Sequence, residues 1–132
     1  MAFIDSSFWI ALAYPRDARH ADAEALLRRH ASTDLVTSNL IRGETWTWLN
    51  RRAGHAAAVR FLDRLGQTKR LQIVTVTPEI EQQALTWLRR HDERRYSFVD
   101  ATSFLLMRSL RIHDALAFDG DFRAAGFTEL RA

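Results

Sequence analysis

Leu71-Gln72-Ile73-Val74-Thr75-Val76-Thr77-Pro78-Glu79-Ile80 switches from one kind of local structure to another. Residues 71–76 are rich in β-branched side chains and read as a strand. Residues 77–80 then open a helix. Thr77 can cap it, and Pro78 suits the first helical position, where its missing N–H has no intrahelical partner. Glu79 suits the positive end of the helix dipole. Ile80, Ala84, Trp87 and Leu88 recur at the spacing of one helix face. A strand feeding directly into an amphipathic helix is the building unit of an α/β sheet.

The same alternation extends in both directions. Phe3-Ile4 leads a short apolar strand to Asp5. Residues 7–14 read as a helix stopped before Pro15. Residues 18–31 carry Ala23, Leu26, Leu27 and His30 at helical spacing, and Leu35-Val36-Thr37 reads as a second strand. Ser38 can cap a helix over 39–52. Gly54 separates it from the next, marked by Ala58, Phe61, Leu62 and Leu65. Residues 98–110 are apolar on most sides, which predicts a buried central helix. Ala115-Leu116-Ala117-Phe118 reads as a strand ending at Asp119, and Phe127-Thr128-Glu129-Leu130 as a last edge strand. The expected fold is α/β, with a short, mostly parallel central sheet covered by helices on both faces. In such sheets, sites collect at the carboxyl ends of the strands.

Composition sets the outer bounds. The chain has 132 residues, the size of a single domain over 1–132. No apolar run approaches the ~18–20 residues that cross a bilayer, so no membrane association is expected. The start Met1-Ala2-Phe3-Ile4-Asp5 has no basic opening and an early acid, so it does not read as a signal peptide. The chain has no cysteine, which excludes a disulfide scaffold or thiolate zinc site and suits a reducing cytoplasm. The net charge is +3, and Lys69 is the only lysine. Arginine's forked guanidinium matches phosphate better than an ammonium does.

Five acids stand out: Asp5, Glu44, Asp100, Asp119 and Asp121. Asp5 and Asp119 each end a strand, and parallel strands near the sheet centre would bring them out at the same end. Asp100 lies between Val99 and Ala101, where a charge is costly unless it is paired or bound to metal. Converging carboxylates are what hard divalent cations such as Mg²⁺ or Mn²⁺ require, and such cations neutralise a phosphodiester and activate water. If the acids gather, the remaining surface is strongly basic, which suits a polyanionic substrate. Each acid also has a purely local reading. Asp5 can be a helix N-cap, and Asp100 can close a capping box with Ser97. Asp119 and Asp121 can shape a turn around Gly120, and Glu44 can be a solvated helix residue.

Four segments in order resemble the PIN domain, and within it the VapC toxins of bacterial toxin–antitoxin pairs. They are Phe3-Ile4-Asp5-Ser6-Ser7, Arg42-Gly43-Glu44, Ser97-Phe98-Val99-Asp100-Ala101 and Ala117-Phe118-Asp119-Gly120-Asp121-Phe122. The resemblance covers essentially the whole chain. It implies a PIN-like three-layer sandwich and an Mg²⁺-dependent endoribonuclease, with Mn²⁺ able to substitute. It implies that a cognate VapB antitoxin holds the toxin inactive, and that a homodimer forms. Asp5 and Asp100 would be the main metal ligands, Glu44 and Asp119 would complete the shell directly or through water, Asp121 would be an outer acid, and Ser7 would orient Asp5. The implied substrate is structured RNA, transfer RNA or ribosomal RNA. The segment from His91 to Asp100 is similar to a subgroup that cuts the sarcin–ricin loop of 23S rRNA. Cutting by activated water would leave 5′-phosphate and 3′-hydroxyl ends and inhibit translation and growth.

Candidate RNA contacts are Arg51, Arg52 and His55 after the Glu44 helix, and Arg89, Arg90, Arg94, Arg95 and Tyr96 before Asp100. Tyr96 could stack on an unpaired base. Trp48 lies four residues after Glu44 and could wall the same cavity. Arginines at helix ends also favour the helix dipole without any RNA. Two rival functions use the same residues. One is a metal-dependent phosphatase with Asp5 as nucleophile, although Ser7 stands where its second acid would be. The other is an RNA-binding module with an inactive site. Histidine-based cleavage has no recognisable pair among His20, His30, His55, His91 and His113.

Overall fold

The computed structural model describes residues 1–132. Five strands are present: β1 (Ala2–Ile4), β2 (Leu35–Ser38), β3 (Leu71–Val74), β4 (Asp114–Leu116) and β5 (Thr128–Glu129). Seven helices connect and flank them: α1 (Ser6–Ala13), α2 (His20–Arg29), α3 (Asn39–Arg52), α4 (His55–Gln67), α5 (Pro78–Arg90), α6 (Phe98–Leu110) and α7 (Asp121–Ala124). The strands form one sheet in the order β3-β2-β1-β4-β5, and every pairing is parallel. The expectation of a mostly parallel sheet is thus sharpened to a wholly parallel one.

This order positions the site. From β1 the chain steps outward to β2 and β3, then returns across the sheet to β4 and β5. Right-handed crossovers place helices of the outward path on one face and those of the return path on the other. Accordingly α1–α4 pack among themselves, and α5–α7 pack among themselves. The direction reverses between β1 and β4, and a crevice opens at their carboxyl ends. β1 is buried along its length, with Phe3 and Ile4 fully enclosed. A chain of rings ties the return layer to it. Phe3 stacks on Phe122, Phe122 meets Phe104 edge-on, and Phe104 meets Trp87 and Tyr96.

Several expected boundaries are corrected by bonds from distant segments. The strand expected over 71–76 stops at Val74, because the Val76 N–H donates to the Asn39 side chain at 2.8 Å. The strand expected to reach Asp119 stops at Leu116, because the Phe118 N–H donates to Ser7 Oγ at 3.0 Å. The helix expected over 18–31 is limited to His20–Arg29. Ser38 and Thr77 cap α3 and α5 as their spacing predicts. Three residues expected on apolar faces are exposed instead: Leu62, Phe98 and Leu110.

Candidate active site

Asp5 follows β1 directly and caps α1. Its Oδ2 accepts from the Ser7 N–H at 3.1 Å and from Ser7 Oγ at 2.7 Å. Ser7 Oγ also accepts from the Phe118 N–H, one residue before Asp119. A single hydroxyl therefore joins the ends of β1 and β4. Asp5 is 1 % exposed, and its Oδ1 is buried with no hydrogen-bond partner.

Asp100 sits in the first turn of α6 and closes a capping box with Ser97. The Ser97 N–H donates to Asp100 Oδ2, and the Asp100 N–H donates to Ser97 Oγ, both at 2.9 Å. Asp119 lies in the bend after β4, where its Oδ1 accepts from the Asp121 N–H at 3.1 Å. The carboxylates of Asp100, Asp119 and Asp121 each offer an oxygen within 4.8 Å of the others. The local readings of Asp5, Asp100 and Asp119 are therefore real bonds, yet they do not compete with a site. Each bond holds a carboxylate in place, and in Asp5 it leaves the other oxygen unpaired.

Glu44 is set apart from the three clustered acids. It is half-buried on α3, lies outside the group of three, and accepts a hydrogen bond from Ser6 Oγ. Ser6 is the residue that the sequence reading missed. It is the first residue of α1, next to Asp5, and its place in the Asp-Ser-Ser run was the available signal. Arg94 has a partner inside the chain. Its Nε and Nη2 both lie 2.9 Å from Asp121 Oδ1, so its guanidinium is engaged at the edge of the acid cluster. The Tyr96 ring packs edge-on against Trp87 at 4.9 Å and Phe104 at 5.6 Å.

The other candidate RNA contacts fall on three surfaces. Arg51 and Arg52 line a groove with Glu44 and Trp48, and His55 meets Trp46 edge-on. Arg89 and Arg90 are exposed at the end of α5, and Arg95 is exposed in the following loop.

Electrostatics mark the cluster as strained without a counter-charge. Desolvation, then the charge of Asp119, hold the Asp5 carboxyl well above the usual carboxylate range. Desolvation chiefly, with Asp119 and Asp121 adding, pushes Asp100 up to about 6. Asp119 is raised too, by partial burial first and by the charges of Asp121 and Glu129. A divalent cation fits this set on the structure's own terms: the donors are hard oxygens, no histidine or cysteine belongs to the group, and Asp5 Oδ1 lacks a partner.

A raised carboxyl makes the folded state bind more protons than the unfolded one, so stability falls as pH rises. For Asp100 the fall spans the interval from the ordinary carboxylate value of 3.8 to about 6, and the raised Asp5 carboxyl adds to it in the same direction. The metal-free protein is therefore expected to melt at lower temperature as pH rises from about 4 to 6, and saturating Mg²⁺ to flatten that slope. Scanning calorimetry across pH, with and without the ion, checks this. A flat metal-free profile would show that the acids are not in conflict. Ser6→Ala frees Glu44, and metal affinity or cleavage rate is expected to fall about 10–100-fold, the scale on which outer partners of metal ligands act. Calorimetric titration with Mn²⁺ alongside a cleavage assay measures both.

Comparison with known proteins agrees with this geometry. Residues 2–128 match the PIN domain family. Two curated relatives, both named 23S rRNA-specific endonuclease VapC20, come from Mycobacterium tuberculosis strains CDC 1551 / Oshkosh and ATCC 25618 / H37Rv. Each is 54 % identical to this chain over 132 residues, which covers 99 % of this chain and 98 % of the relative. The crystal structure of Mycobacterium tuberculosis VapC20, described as a sarcin–ricin loop cleaving toxin, superposes with a TM-score of 0.93 at 50 % identity. That match covers 100 % of both chains. With its parallel sheet, its acids at the β1–β4 crevice and this similarity along its length, the chain belongs to the PIN domain family, in its VapC branch.

Proposed function

We propose that the chain is a Mg²⁺-dependent endoribonuclease, the toxin of a VapBC pair, and that it cuts the sarcin–ricin loop of 23S rRNA. The observation that carries this reading is the meeting of Asp100, Asp119 and Asp121 beside the buried, unpaired oxygen of Asp5. Relatives at 54 % identity with a 23S rRNA-specific endonuclease name point the same way.

Asp5, Asp100 and Asp119 hold the cation in this reading, Asp121 is an outer acid, and Glu44 acts through Ser6. A divalent cation, when bound, supplies Lewis acidity toward water and toward the phosphodiester oxygens. The protein's own part is positioning. Ser7 and Ser97 fix one oxygen each of Asp5 and Asp100, so the carboxylates are aimed before substrate arrives. Arg94 offsets charge at the exposed edge through Asp121. Water forms the new bond to phosphorus, the bond to the 3′ oxygen breaks, and the products carry 5′-phosphate and 3′-hydroxyl ends. The 2′-hydroxyl takes no part, so selectivity for RNA comes from contacts outside the acids. The chain works as one PIN domain over 1–132, as a homodimer in the cytoplasm, and a VapB antitoxin holds it inactive. No helix is long and apolar enough to cross a membrane.

The test is to map 5′ ends in total RNA after brief expression. The expected result is one new 5′-phosphate end inside the sarcin–ricin loop, absent when the Asp5→Asn, Asp100→Asn variant is expressed. New ends in transfer RNA would move the substrate elsewhere. No new end at all would defeat the reading.

A further inference from the structure

A groove of about 690 Å³ runs along α3, within the ~300–1,000 Å³ range of small-molecule pockets. Gly43, Trp48, Arg51 and Arg52 line it from α3, and Phe98 lines it from the start of α6. Glu44 on the same lining bonds Ser6, the neighbour of Asp5, and Val99 on the lining precedes Asp100, so the groove lies beside the acid cluster. Arg52 lies 5.8 Å from the centre of the Trp48 ring. Phe98 is 36 % exposed although it opens a helix that is otherwise largely core.

Gly43 is an independent pointer. It lies inside α3, where glycine costs about 1 kcal/mol relative to alanine. A Cβ built there would meet nothing within 4 Å, so no neighbour demands glycine. Its bare backbone instead leaves the groove wall open.

We propose that this groove receives an unpaired nucleotide of the RNA substrate adjoining the scissile phosphate, its base against Trp48 and Phe98 and its flanking phosphates against Arg51 and Arg52. The inference rests on the reading of the chain as an RNA-cutting enzyme. Two guanidiniums beside an indole suit a planar base joined to phosphate better than they suit an apolar peptide. Glu44 and Val99 on its lining set the occupant beside the acid cluster.

The test uses a synthetic sarcin–ricin stem–loop RNA and copies with an abasic residue at each unpaired position in turn. Gly43→Leu places an apolar side chain on the groove wall, where a Cβ meets nothing within 4 Å, and favours the helix, so it is expected to fold even if Trp48→Ala does not. Both variants are expected to lower kcat/KM by about 10-fold or more, the scale of one lost base–aromatic stack. One abasic position should cost the wild type a similar factor and cost the variants almost nothing further. RNA binding read by fluorescence anisotropy in EDTA should weaken in parallel. Gly43→Leu cutting and binding like wild type would overturn the proposal. So would losses equal at every abasic position, or a loss of antitoxin binding with RNA binding intact. If the wild type cuts no RNA with Mg²⁺ or Mn²⁺, the enzymatic reading fails, and the binding arm still decides whether the groove holds a nucleotide.

Discussion

Asp5→Asn is expected to lower RNA cleavage on the order of 10³-fold, the scale on which loss of a preorganised charge acts, and to raise the melting temperature of the metal-free protein. The two effects have one cause. Asp5 is buried, its Oδ1 has no partner, and Asp119 adds like charge, so the ionised form is unfavourable in the fold. Asparagine keeps the shape and removes the charge. The gain in melting temperature should be about 2–6 °C, a case of stability traded for activity. Asp100→Asn should lose cleavage similarly but gain less stability, because the Asp100 carboxylate also accepts the Ser97 N–H in the capping box. Cleavage assays, melting curves and growth after expression measure these outcomes together. Full toxicity in the double variant would favour an RNA-binding module over an enzyme.

Chelation is the second large effect. EDTA is expected to take cleavage to background, and Mg²⁺ or Mn²⁺ to restore it. Four of the five histidines are engaged within the chain, and the fifth, His113, is exposed just before β4, at the opposite end of the sheet from the acids. His20 is bonded to the Ala11 carbonyl, His91 is bonded to the Trp87 carbonyl and stacked on its ring, His30 meets Thr33, and His55 meets Trp46. Binding should also appear without turnover. At an ion concentration of about 100 Kd, linkage adds about 2.7 kcal/mol of stability. The wild type should show this as a rise in melting temperature, and Asp5→Asn should show far less. Cleavage that persists in EDTA would overturn the metal-dependent mechanism. The phosphatase alternative loses ground on geometry, because Ser7 stands at its second acid position and its hydroxyl is spent on Asp5 and Phe118.

Local physics made much of this molecule legible from order alone. Thr77-Pro78-Glu79, Ser38 and the Ser97–Asp100 box announce helix starts because a cap binds a backbone group only two or three residues away. The alternation of apolar strands with amphipathic helices specified an α/β sheet, and Asp5 was placed at the end of β1 by the same means. Other features depend on partners far along the chain. The strands stop where Asn39 and Ser7 capture backbone N–H groups of Val76 and Phe118. Arg94 is claimed by Asp121, Tyr96 by Trp87 and Phe104, and Glu44 by Ser6. Spacing marks which side chains are acidic, basic or aromatic and which face of a helix they occupy. Which of them touch was decided only when the sheet order and helix packing fixed their positions, because a contact energy acts over a few ångströms of space and takes no account of separation along the chain.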